Sequence, residues 1–172
     1  LTNLNLRDIP TRQLLKKYQK SFPELDIDSV LLYLDLQKVF RKTEQIFNSV
    51  FDESNLTEAK FIVLMLLYRE PQHKLFSSEL AEKSGVKRAT ITGVIAGLEK
   101  NNWVFKVPDD SDKRSTWICL TEEGKKHLEG FLPTNYQTAH QIMSALNKTD
   151  KDHLTKILKK ISIASSSLRK DV

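Results

Sequence analysis

The chain has one cysteine, Cys119, among its 172 residues, so no internal disulfide framework is available. A reducing cytoplasm is the expected compartment. Proline and glycine are scarce, five of each, which argues against long flexible linkers. No stretch approaches the ~20 consecutive apolar residues of a membrane span. The first residues carry no charged, apolar and small-residue sequence of a secretory leader. The four histidines, His73, His127, His140 and His153, are scattered without metal-ligand spacing. No glycine-rich phosphate loop and no nucleophile elbow is present, so neither an enzyme nor a bound cofactor is expected. One sign of charge is not dominant either. Lys plus Arg number 27 against 22 Asp plus Glu, a net +5. That balance leans towards anionic partners without naming one.

What is present is mostly helical periodicity. Residues 1–27 read as an N-terminal extension with a helix over 10–20, in which Pro10 suits the first turn. Ser21, Phe22 and Pro23 break it. A long amphipathic helix is expected from about Asp28 to Phe51, with a stripe of Leu32, Leu36, Val39, Phe40, Ile46, Phe47 and Val50. Asn55 to Thr57 is suited to capping the next helix, 58–68, which is apolar on nearly all sides and reads as buried. Pro71 terminates it. Two short helices follow, about 77–84 and 88–101. Residues 103–107 and 116–120 then read as strands joined by the polar loop PDDSDKRS, a hairpin signal. Thr121 caps a helix carrying Leu128 and Phe131 that Pro133 is expected to bend. A last helix, about 150–168, carries Leu154, Ile157, Leu158, Ile161 and Leu168.

The order helix, tight turn, helix, hairpin over residues 77–120 is the informative unit. Ser77 or Ser78 can cap the first helix. Leu80 and Ala81 face inward. Gly85 sits where the turn needs positive φ, and Val86 is expected to plug the corner. Ile91, Val94, Ile95 and Leu98 form the inner stripe of the second helix, which Asn102 ends in a left-handed conformation. This makes a winged helix-turn-helix in a mainly α chain with a small β-wing. Arg88, Thr90, Thr92 and Gly93 are then left on the outer face near the N-terminus of the second helix, the end that enters the major groove in this motif. Arg88 has the donor geometry for guanine O6 and N7, and the threonines suit phosphates, base edges or a thymine methyl. Lys87 and Lys106 are within reach of phosphates. In the loop, Asp112 is spaced to brace Arg114, and a held guanidinium beside Lys113 suits a narrow minor groove.

These stretches resemble the multiple antibiotic resistance regulator (MarR) family over about residues 29–168. The resemblance rests on SSELAEKSGV, ATITGVIAGLEKNNWV, PDDSDKRS and ICLTEEGKKHL. Its most specific part is the wing followed by Leu120, Thr121 and Gly124. It implies a cytoplasmic homodimer whose terminal helices, 28–55 and 121–172, interlock around a winged unit at 56–120. It also implies a double-stranded, pseudo-palindromic DNA site, repression as the default outcome, and release by a small lipophilic or aromatic effector. Tyr33, Phe40, Arg41 and Phe61 are the candidate lining of such a pocket. The chain departs from the family pattern where a serine cap is usual, at Lys87, and where a polar or basic residue is usual, at Gly93. Gly97 adds a second helix-interior glycine. Between residues 77 and 115, seven basic residues face six acidic ones, so placement rather than net charge must attract DNA. The larger basic excess at both ends reads as solvated helix faces. Cys119 alternates with Ile118 and Leu120, so it should point away from the core, remote from a redox role. The competing classes are a winged helix that binds protein and an activator in place of a repressor.

Overall fold

The computed structural model describes residues 9–112 and 115–168. The backbone divides into two compact units, Leu1–Asp52 and Glu53–Val172.

The first unit holds α1 (Arg12–Gln19) and all but the last residue of α2 (Ile27–Glu53). Thr11 caps α1, its hydroxyl accepting from the Leu14 N–H at 3.3 Å. Pro10 therefore precedes the cap instead of occupying the first turn. The entry to α2 is built by Asp26. Its carboxylate accepts from the backbone N–H groups of Asp28 and Ser29 at 3.1 and 3.2 Å and from the Ser29 hydroxyl at 2.6 Å. Those bonds favour the ionised acid and hold the Asp26 pKa below its ordinary value. Arg12 pairs with Asp28 across the turn. Of the expected α2 stripe, Leu32, Leu36, Val39, Phe40 and Ile46 are exposed, the first of them at 68%.

The second unit runs α3 (Glu58–Tyr68), β1 (Lys74–Phe76), α4 (Ser77–Ser84), α5 (Arg88–Lys100), β2 (Val104–Pro108), β3 (Thr116–Leu120), α6 (Glu122–Met143) and α7 (Lys148–Leu168). Thr57 caps α3 by accepting from the Lys60 N–H at 3.2 Å. The helix buries Val63, Leu64, Leu66 and Leu67. It packs against α4, α5, α6 and the sheet, which explains its near-continuous apolar run. Leu80, Ile91, Ile95, Leu98, Ile118 and Leu128 complete the core, each at most 1% exposed. Every such side chain contributes ~1.5–3 kcal/mol of burial.

The sheet has three antiparallel strands in the order β1-β3-β2. Strand β1 was not foreseen. Three residues are too short to show alternation, and Phe76 runs directly into α4. In register, Leu75 and Lys106 flank Ile118 on the inner face. Phe76 and Trp117 stack on the outer face with centroids 3.6 Å apart.

The α4–α5 corner departs from expectation at Val86, which is 41% exposed. Gly85 adopts φ 68°. Its N–H reaches Glu82 O at 3.1 Å, and the Val86 N–H reaches Ala81 O at 3.2 Å. The corner is thus closed by a Schellman pair of backbone bonds, and the left-handed turn carries Val86 outward.

The start of α6 is fixed by residues 121–124. The Thr121 hydroxyl donates to Asn102 O at 2.8 Å and accepts from the Gly124 N–H at 2.9 Å. Gly124 is needed for close approach: a Cβ there would lie 2.2 Å from the Trp103 carbonyl oxygen. Asn102, at φ 58°, supplies the left-handed residue after α5 and donates its side-chain amide to Glu123 at 2.8 Å. Helix α6 runs on through Pro133 to Met143.

Candidate nucleic-acid interface

Helix α5 is amphipathic in a way that separates its two jobs. Ile91, Ile95 and Leu98 are buried, and Val94 is half-buried. Arg88, Thr90, Thr92 and Gly93 are exposed, as the periodicity predicts. Lys87 is the N-cap residue and makes no side-chain cap hydrogen bond. The Thr92 hydroxyl donates back to Arg88 O at 3.0 Å, which orients its methyl group relative to the helix.

Ser77 and Ser78 do not cap α4. The N-cap is Phe76, because β1 continues to that residue in register with Trp117, and Ser77 is already the first helical residue. Glu79 satisfies the strand end by accepting from the Phe76 N–H at 2.8 Å. The two serines instead line a hollow of about 350 Å³ together with Phe76, Arg88, Thr92, Ser115 and Thr116. Arg88 and five hydroxyl-bearing residues thus line one hollow, from α4, α5 and the wing. This is a donor set suited to phosphate or to base edges. Ser115 and Thr116 were missed by sequence reasoning, since only the hairpin's return path brings them beside α4.

A smaller adjoining hollow of about 150 Å³ includes Lys106, with Ser77, Thr92 and Thr116. Lys106 already has a partner: its Nζ lies 2.6 Å from Glu99 Oε2 on α5. The wing turn is closed by acids. Asp109 accepts from Ser111, and its own N–H donates to Ser115 O at 3.0 Å. Asp112 accepts from the Ser115 hydroxyl at 3.2 Å and, through its carbonyl, from the Ser115 N–H at 2.8 Å. Lys113 and Arg114 lie outside the described residues, and so does the expected Asp112–Arg114 brace.

The effector candidates divide between the two units. Tyr33 and Phe40 on α2 are 58% and 63% exposed, and Arg41 is half-buried. Phe61 on α3 is half-buried and meets Phe131 edge-on at 5.4 Å. Cys119 lies on the outer sheet face opposite Lys74 and Phe105. Burial raises its thiol pKa against the opposing pull of Lys74. That is the reverse of what a reactive thiolate requires.

A buried α3–α5 core, a Gly85 turn, an outward polar face on α5 and a three-stranded wing define a winged helix-turn-helix protein. The MarR family model matches residues 56–116. The HTH-type transcriptional repressor YetL of Bacillus subtilis (strain 168) is 33% identical over 155 residues, covering 90% of this chain and 93% of that protein. The chain belongs to the MarR family, and so to the DNA-binding transcription regulators, a family of regulators and not of enzymes. Sco3205, a MarR family transcriptional regulator from Streptomyces coelicolor solved in complex with DNA, matches with TM-score 0.68 and 22% identity. The match covers 80% of this chain and 88% of that one. The organohalide-sensing regulator RdhR-CbdbA1625, solved with 2,4-dichlorophenol, matches with TM-score 0.72 and 20% identity, over 96% of this chain and 91% of that one. No helix among the described residues is long and apolar enough to cross a membrane.

Proposed function

We propose that the protein is a homodimeric, ligand-responsive repressor that places α5 in the major groove and the 108–115 turn against the minor groove. The observation that carries this reading is the convergence of Arg88, Thr92, Ser77 and Ser78 on one hollow beside the exposed face of α5. Arg88 and Thr90 are assigned to base edges. Ser77, Ser78, Thr92, Lys87 and Lys106 are assigned to phosphates, which set register but carry no sequence. From sequence, Lys113 and Arg114 are assigned to the wing contact, with Asp112 as the brace. Two-fold symmetry places two such faces about 34 Å apart on a pseudo-palindrome. The exposed stripes of α2 and α7 supply the self-associating surface. A small aromatic or lipophilic effector is the expected signal, in line with the dichlorophenol held by the structural relative. Tyr33, Phe40, Arg41 and Phe61 are the residues proposed to meet it. The protein is expected to act in the cytoplasm.

The test is selection of genomic fragments by the purified protein at physiological salt, beside Arg88→Ala and Arg114→Ala. One palindromic site is expected, with affinity reduced about 10- to 100-fold in Arg88→Ala. The affinity should fall steeply with salt as counterions are released. Recovery of no specific fragment, or of binding without salt dependence, would replace this reading with a protein-binding winged helix. The balanced charge of residues 77–115 is the observation favouring that alternative.

A further inference from the structure

Gly93 is the sixth residue of the 13-residue α5, in its exposed face directly after Thr92. A glycine there weakens the helix relative to alanine, because its backbone loses more freedom on folding. Two of the other glycines have reasons visible within the chain. Gly85 needs φ 68°, and Gly124 abuts the Trp103 carbonyl. At Gly97 an added Cβ would lie 3.3 Å from the flexible end of the Lys60 side chain, which need give only a few tenths of an ångström. Gly93 has no such reason: its φ is not positive, and a Cβ built on it meets nothing within 4 Å. Nothing inside the protein uses the missing methyl, so its use is sought on the outer side of α5.

We infer that Gly93 is a specificity-determining residue that seats the C5-methyl of a thymine, an inference that rests on the proposed placement of α5 in the major groove. Thymine is the base that presents an apolar knob in that groove; cytosine carries hydrogen at the same carbon. A bare Cα lets the helix backbone approach the base edge by about the depth of that methyl. An alanine would set methyl against methyl and hold the helix off. Thr92, with its hydroxyl turned back to Arg88 O, flanks the same point.

The experiment selects sites from a random duplex pool with wild type, Gly93→Ala and Gly130→Ala. Gly130, on α6, is equally open to an added Cβ and controls for a gain in helix stability alone. Thermal melts establish that both variants fold, as the open space at each position predicts. Binding is then measured on the selected duplex with each thymine replaced in turn by deoxyuridine. One thymine per half-site should be lost from the Gly93→Ala selection and kept with Gly130→Ala. Deoxyuridine at that step should weaken wild type about fivefold, and Gly93→Ala should bind the thymine duplex about tenfold more weakly than wild type does. Gly93→Ala should also no longer distinguish the two bases. An unchanged site and affinity for Gly93→Ala would overturn the inference, as would indifference of wild type to every deoxyuridine. Wild type selecting no sequence would instead overturn the reading of α5 as a DNA reader, and the inference with it.

Discussion

Helices α3 and α7 belong to the same unit and make opposite use of apolar residues. In α3, 11 residues long, four side chains are buried by neighbouring elements. In α7, 21 residues long, none is buried, and Ile157, Leu158, Ile161, Ile163 and Leu168 are all exposed. Apolar area gains its stabilisation only when it leaves water. The α3 stripe therefore acts within one chain, whereas the α7 stripe becomes useful on association with a second surface. Helix α5 lies between them, with one face committed to the core and the other left polar.

This contrast can be broken at its buried end with the largest effects. Leu64→Ala removes a fully buried side chain and should cost about 3 kcal/mol. Gly124→Ala should cost at least as much, about 3 kcal/mol or more, since the clash is with backbone. Both losses should appear in denaturant titrations and be independent of protein concentration. Ile161→Asp tests the exposed end. It should leave helical content intact while moving the sedimentation equilibrium from dimer towards monomer. It should also remove the rise of Tm with concentration expected of the wild type. A concentration-independent loss of stability instead would mean that α7 acts within the chain, as α3 does.

Smaller effects sharpen the picture of the polar faces. Glu99→Gln frees Lys106 from its 2.6 Å partner. As a surface pair it should change stability by no more than about 0.5 kcal/mol. It should steepen the salt dependence of DNA binding by about one phosphate contact, read as the slope of log affinity against log salt. The least effect is expected at Asp26. Its folded pKa is lowered, so its contribution to stability is present above the unfolded value. That contribution is lost as pH falls through the folded value, below 3.8. Asp26→Asn should flatten that acid limb of a circular-dichroism stability profile.

The parts of the fold that were legible in the sequence are those decided by short-range chemistry. Gly85 and Asn102 do sit in the left-handed region, and Thr121 does cap α6. The α5 stripe and its outward residues follow from period alone. What escaped depends on where distant segments return. Strand β1 exists because Leu75 finds Ile118, 43 positions further along. Val86 is exposed because the turn's direction, not its hydrophobicity, sets its position. The hollow at Ser77 and Arg88 needs Ser115 and Thr116, and the Glu99–Lys106 pair needs β2 to turn back beside α5. Sequence located the exposed polar face of α5 but not the second wall beside it.

Thr121, Asn102 and Gly124 bolt the first turn of α6 to the root of the wing. The whole helix is 22 residues long, a rod of about 33 Å. In mechanical terms, the wing root is the pivot of a rod whose far end, Met143, leads through a short turn into α7. A tilt of about 5° at the pivot displaces that end by about 3 Å over such a rod. The buried Leu128, Phe131 and Thr138 hold the rod along its length, so such a tilt needs their packing to yield as well. Pro133 gives the rod one compliant joint, because it has no N–H to donate to the Glu129 carbonyl.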